Sequence, residues 1–363
     1  MTDMTVNLDN AADTPVCGAA RQAFLDALAL GNPSSAHGAG RAARVCLDEA
    51  RYAVQTALDC ERVVFTSGGT ESINLALRGA AEAYGKKRKH IVTTTFEHPA
   101  TRSTLSALKA KGFTVTEVPP RADGRVHPED ILSALTGETF LITAVQVCGE
   151  TGSLLDVPRL AARLRELCER DLYLHIDAVQ GFLKFPLSVR QCGIDLLSVS
   201  GHKVHAPMGV GALAVSPRVR LAPQITGGAQ EGGLRGGTEP LPLIAAFAAA
   251  IRDWSPPDLS LTALAAVTLE AAGWTVIPAH DAPIVSAANP AKLPGEAMVR
   301  MLSDKGVLVG SGSACSRGKR SAALLSMTKL PAWAADSVIR LSFSRFTVRE
   351  ELERALEEIC SPR

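Results

Sequence analysis

The sequence predicts an α/β protein: a mostly parallel, open sheet flanked by helices, followed by a smaller α+β domain. Three observations predict it. From residue 62 to residue 252 short apolar runs alternate with helical patterns. Several of these runs stop abruptly at small, polar or charged residues, as strands do where their carboxyl ends line a ligand crevice. The paired prolines of Ser255-Pro256-Pro257-Asp258 then break the pattern, and short strands and helices resume on a smaller scale. The 363 residues suffice for one large domain, 14–254, and one small domain, 255–363, with residues 1–13 packed against it.

Hydrophobic residues make up 46% of the chain and charged residues 21%, so an ordinary globular core is expected. A net charge of +1 gives no global electrostatic case for nucleic acid or for a membrane surface. No apolar run reaches membrane-spanning length, and MTDMTVNLDNAADTP has no basic region followed by an apolar segment, so no secretory leader is expected. The 8 cysteines are scattered without metal-ligand spacing and read as reduced thiols, hence a cytoplasmic location.

In order, residues 5–10 read as a short strand, and Ala11 to Pro15 turns the chain into a helix over 17–30. Asn32-Pro33-Ser34-Ser35 marks a loop before an amphipathic helix over 41–58. Strands are expected at 62–66, 90–95, 111–118, 139–147, 172–176, 196–200 and 209–215, with helices at 127–135 and 157–169. The glycine-dense stretch 226–238 is either a linker or a loop given polar reach by Gln230, Arg235 and Thr238, and the LIAAFAAAIRDW helix follows it. Beyond residue 258, WTVIP, APIVSAA, VLVGSG and VIRLSF read as strands.

Chemistry collects at the strand ends. Lys203 follows the apolar run 196–199 through Ser200-Gly201-His202; it is a solvated loop lysine or, beneath a carbonyl cofactor, a Schiff-base amine. Asp177 ends the preceding strand, where a buried carboxylate needs a cap, an arginine or another cation. Ser67-Gly68-Gly69-Thr70 joins a strand to a helix start, which is either an ordinary capped turn or an anion site. His98 lies just past another strand end, either structural or stacked on an aromatic group. Cys315 sits among glycines and small residues with Arg317, Lys319 and Arg320 following, a setting that favours an accessible thiolate; the alternative is a small residue in a glycine-rich turn.

Taken in order, LDNAADTP, NPSSAHGAGR, FTSGGTES, EHPA, ETG, HIDAVQ, SVSGHK, GGAQEGGLRGGT, GSGSACS and IRLSFSRFT resemble the cysteine desulfurases, pyridoxal 5'-phosphate (PLP) enzymes of fold-type I grouped with the class V aminotransferases. The resemblance spans nearly the whole chain. It implies a seven-stranded large-domain sheet and a homodimer with shared active sites. Lys203 would hold PLP covalently, Asp177 would pair with the ring nitrogen, Gln180 with the ring oxygen, and His98 would stack on the ring. Gly69, Thr70, Ser200 and His202 would bind the phosphate, and Thr238 would reach the phosphate in the neighbouring subunit. Arg340, and more weakly Asn32, would bind the substrate carboxylate. Cys315 would take sulfur from L-cysteine as a persulfide, leaving L-alanine, and pass it to an acceptor protein, for iron–sulfur clusters or another thio-cofactor.

The chain departs from the family at Cys148-Gly149, where asparagine is usual before Glu-Thr-Gly, and at Asp13, where threonine is common. The segment before Trp274 is short and the cysteine loop unusually basic, which would suit a paralogue serving a single pathway. Selenocysteine lyase, another PLP-dependent C–S lyase, and a weakened sulfur-relay partner are the competing readings.

Overall fold

The first strand of the chain, β1 (Val6–Leu8), does not join the sheet that follows it in sequence. That sheet is built from β2 (Val63–Thr66), β3 (His90–Thr94), β4 (Thr114–Val118), β5 (Thr139–Val145), β6 (Tyr173–Asp177), β7 (Leu196–Ser200) and β8 (Gly211–Val215). The computed structural model describes residues 5–167, 172–312, 321–327, 330, 331 and 333–361.

Across the seven-stranded sheet the order is β2-β8-β7-β6-β5-β3-β4. Strand β8 runs antiparallel to both neighbours, and every other pairing is parallel. Strands β5 to β8 are buried at every position and apolar along most of their length. That is the signature of strands covered by helices on both faces.

Among the covering helices, α1 (Gly18–Ala27) is followed by α2 (Gly38–Leu58), which buries Ala43, Leu47, Ala50, Val54 and Leu58, a stripe at three- and four-residue spacing. Helix α3 (Gly69–Tyr84) begins after Gly68, whose φ of +148° is open to glycine but not to a side chain. Helix α4 (Pro99–Lys109) was not foreseen from the sequence. Its buried face carries Ala100, Thr101 and Thr104 as well as Leu105 and Leu108, so the apolar period that would reveal it is diluted by threonine.

The second sheet has the order β1-β11-β12-β10-β9, with β9 (Thr275–Val276), β10 (Ile284–Ala288), β11 (Val307–Ser311) and β12 (Val338–Ser342). Strand β1 pairs parallel with β11, Val6 opposite Val307, and the other pairings are antiparallel. Leu8, Leu269, Val285, Leu302, Ile339 and Leu356 share a core separate from that of the large sheet. The two bodies are tied by the Arg125–Asp281 ion pair at 2.5 Å and by Ser286 Oγ donating to Glu150 O at 2.6 Å. No helix among the described residues is long and apolar enough to cross a membrane.

Candidate functional site at the carboxyl ends of the large sheet

Because β2, β3, β5, β6 and β7 point the same way, the turns that follow them gather at one edge of the sheet. Gly69 and Thr70 follow β2, Glu97 and His98 follow β3, and Cys148 to Glu150 follow β5. Asp177 closes β6, Ser200 closes β7, and His202 and Lys203 follow it in a single 3-10 turn, Gly201–Lys203.

Lys203 is held by the N-terminal segment. Its Nζ donates to Ala11 O at 2.7 Å and to Ala12 O at 2.6 Å. Gln180 Nε2 donates to the same Ala11 carbonyl at 2.8 Å, so the turn after β6 and the amine after β7 meet at one main-chain oxygen. Beside them Thr14 N and Oγ1 donate to His202 O, and His202 Nδ1 lies 3.1 Å from Asp13 Oδ1. Asp13, which departs from the family pattern, thus orients the imidazole next to the lysine.

Asp177 is buried, with Oδ1 accepting from Val179 N at 3.0 Å. Burial raises its pKa to about 6, against the opposing pull of that hydrogen bond and of the Lys203 charge. A second buried acid, overlooked in the sequence, stands beside it. Glu97 Oε1 accepts from Thr94 Oγ1 at 2.7 Å and from Val145 N at 2.9 Å, while Oε2 has no partner. Val145 is the register partner of Asp177. Burial, and then the Asp177 charge, push Glu97 up to about 8 despite its two donors. Asp177 is therefore the acid that ionises first, and Glu97 is a neutral neighbour when it does. The sequence signal for Glu97 was its place three residues past a buried strand, as Asp177 was signalled by closing one.

His98 caps α4, its Nδ1 accepting from Ala100 N at 3.1 Å, which leaves the ring proton on Nε2. Desolvation, then the charges of Lys203, Arg102 and His202, push its pKa down to about 4, although the residue is partly open to solvent. It is a neutral imidazole at physiological pH.

No side chain caps the start of α3, so the N–H groups of its first turn, which contains Thr70, lie uncapped just past β2. Gly69 lies so close to the turn after β6 that a Cβ there would sit 2.7 Å from Val179 Cγ2. Ser200 is buried within 3.7 Å of the Cβ position at Gly68.

Arg340, on β12 of the small sheet, forms the facing wall. Its Nη1 donates to Gly149 O and its Nη2 to Asp9 Oδ1, each at 2.8 Å, and its Nε is buried without a partner. Ser321 Oγ donates to Glu150, whose pKa is raised by burial. Cys315 lies outside the described residues; Ser321 is the first described residue after it. The buried thiols Cys60 and Cys148 are pushed up to about 12 and about 11 by desolvation, the state of inert cysteines. Gly149 lies against the Gln180 amide, 3.3 Å from its Nε2 to the position a Cβ would take.

Two sequence candidates stand apart. Asn32 is exposed between α1 and α2, its Oδ1 accepting from Ser34 N at 2.8 Å in a local turn. Thr238 is exposed at the end of the glycine-dense stretch. That stretch is no slack linker: Glu231, in a left-handed conformation at φ 50°, accepts a two-pronged bond from Arg51 at 2.6 and 2.8 Å and a bond from Phe65 N at 2.8 Å.

Comparison with known proteins matches this arrangement over its whole length. The family model described as Aminotransferase class-V covers residues 6–355. The chain is 34% identical over 380 residues to the cysteine desulfurase IscS of Proteus mirabilis (strain HI4320), spanning 99% of this chain and 92% of that one. It is 35% identical to the cysteine desulfurase IscS of Pseudomonas entomophila (strain L48), over 98% and 92% of the two chains. Among solved structures, a NifS-like protein superposes with a TM-score of 0.90 at 30% identity, over 98% of each chain. A structure of SspA in complex with cysteine superposes at 0.82, with 30% identity over 95% of this chain and 100% of that one.

Proposed function

The chain belongs to the class-V aminotransferases, and to the cysteine desulfurases among them, and from that premise we propose how its own residues divide the work. Enzymes of this family depend on PLP, and three features of the crevice fit that group. A buried carboxylate whose pKa is raised, Asp177, suits a cationic ring N–H. The uncapped start of α3, with Thr70, Ser200 and His202 around it, suits a phosphate. Lys203 follows the strand that pairs with the one Asp177 ends, and suits a carbonyl carbon.

Bound there, PLP would supply an electron sink for charge developed at the substrate Cα. Lys203 would hold the group covalently and, once released from it, would carry the Cα proton. Asp177 would keep the ring nitrogen protonated, Gln180 would donate to the ring oxygen, and neutral His98 would cover the ring face. Gly69 and Thr70 would hold the phosphate. Arg340, already aimed by Asp9 and Gly149 O, would grip the carboxylate of L-cysteine. The Cys315 thiolate would attack the substrate sulfur: an S–S bond forms, the substrate C–S bond breaks, and a proton returns to carbon. The balance is one L-cysteine and one thiol in, one L-alanine and one persulfide out, with no outside oxidant.

The convergence of Lys203, Asp177 and Gln180 on one turn cluster carries this reading. The exposed Thr238, on a strap pinned through Glu231, supports a homodimer in which each subunit completes the other's phosphate site. The persulfide would pass to an acceptor protein in the cytoplasm, for iron–sulfur cluster or other thio-cofactor assembly. Incubating the protein with L-cysteine should give alanine, and peptide mass analysis should find one added sulfur on Cys315. Pyruvate in place of alanine would turn the assignment to β-elimination.

A further inference from the structure

Lys184 has no part in the chemistry above, yet it is aimed into the back of the site. Its Nζ donates to Gln180 O at 3.0 Å and to Lys203 O at 3.2 Å. One amine therefore bridges the turn after β6, which carries Asp177 and Gln180, to the turn after β7, which carries Lys203. The stem of Lys184 lies in an apolar cleft lined by Leu58, Phe182, Phe185, Leu197 and Trp254. Taking an ammonium-bearing chain into such surroundings is costly, and its pKa falls to about 7 through that burial and the neighbouring Lys203 charge.

The backbone is bent to make this contact. Leu183, immediately before it, has φ 62°, a left-handed conformation that strains a bulky side chain. Its carbonyl is fixed by Trp254 Nε1 at 3.0 Å, and Lys184 N is fixed by Gly181 O at 3.0 Å. A leucine held left-handed by an indole, and a lysine spent on two main-chain oxygens in an apolar cleft, are hard to account for as packing. A methionine at position 184 would fill the cleft without the cost of burying an amine.

We propose that Lys184 is a positioning residue that staples the two turns at a fixed separation, so that Lys203 is presented at the right distance from Asp177 and Gln180. The inference rests on the PLP reading above, and the experiment separates the two. Cofactor-free wild-type, K184M and K184Q proteins are titrated with PLP, following quenching of tryptophan fluorescence for affinity and the visible band for the environment of the bound cofactor. Melting temperatures of the cofactor-free forms are taken in parallel. Methionine keeps the apolar stem and removes the donor. K184M should bind PLP about tenfold more weakly and with a displaced band, while melting close to wild type. K184Q, which retains a donor, should recover part of the affinity. A role in packing alone would shift the melting temperature and leave affinity and band in place, and that result overturns the proposal. Should K184M not fold, W254F decides, because it frees the Leu183 carbonyl while leaving the lysine: weaker PLP binding supports the staple, and unchanged binding overturns it. Wild-type protein that binds no PLP would remove the reading underneath and the staple with it.

Discussion

Replacing Glu97 by glutamine tests the electrostatics of the site without touching its shape. Glutamine keeps an oxygen to accept from Thr94 Oγ1 and Val145 N, and it is neutral at every pH. In the wild type the carboxyl is held at about 8 in the folded chain against an ordinary value of 4.5. The folded state therefore keeps a proton that the unfolded state releases. Wild-type stability is undiminished below the unfolded value and falls as pH rises toward the folded one. The slope over that window is about 1.4 kcal/mol per pH unit, so the penalty relative to glutamine is about 1 kcal/mol near pH 5 and about 4 kcal/mol near pH 8. Asp177 titrates in both proteins and cancels in the difference to first order. The assay is thermal unfolding of both cofactor-free proteins across this range at one fixed concentration. Glutamine should gain on wild type by about 3–4 kcal/mol from the acid end to the alkaline end, whatever the constant offset from its extra amide hydrogen. Parallel profiles would mean that Glu97 is ionised throughout, and the account of the paired acids would be refuted.

Four further outcomes follow from the site. C315A should keep the visible absorbance of bound PLP and lose sulfide release from cysteine; a variant desulfurating at the normal rate would show that another group takes the sulfur. K203A should bind PLP so that dialysis removes it and should lose about a thousandfold or more in turnover, measured as alanine formed. R340Q gives up the paired donors expected at the substrate carboxylate, so kcat/KM for cysteine should fall about 10- to 100-fold, while PLP affinity measured by titration holds. T238V should weaken PLP binding only if subunits complete one another's sites. Mixing T238V with K203A subunits should then restore one competent site per mixed dimer, read as recovered alanine formation.

Much of the site was legible because parallel topology concentrates chemistry at strand ends. Asp177, Lys203, His98 and Gly69 each lie at or just past a strand end, and a reader who finds the strands finds the residues. What stayed hidden depended on tertiary direction. Nothing in GVGALAV tells that β8 runs against its neighbours, since a fully buried strand has the same pattern in either sense. Helix α4 was hidden by threonines on its inner face. Glu97 lay in the motif beside His98, but its burial, its bond from the β5 backbone and its orphan second oxygen are tertiary features. The lysine staple could not be inferred at all, because a lysine following Phe182-Leu183 reads as surface until Leu183 turns left-handed. The glycine-dense stretch was open to two readings. Its composition allows a slack tether, and one buried glutamate fixes it to β2.

The placement of β1 has a bearing on how the chain comes to be assembled. Residues 6–8 leave the ribosome about 300 residues ahead of their parallel neighbour, residues 307–309. Until it arrives the leading strand has nothing to lie against, and Ala11 and Ala12, whose carbonyls cradle the Lys203 amine, have no fixed place. The lysine can thus be seated only once residues 307–309 have been made, and a chain truncated before residue 307 would carry every strand of the large sheet and still lack a properly held amine.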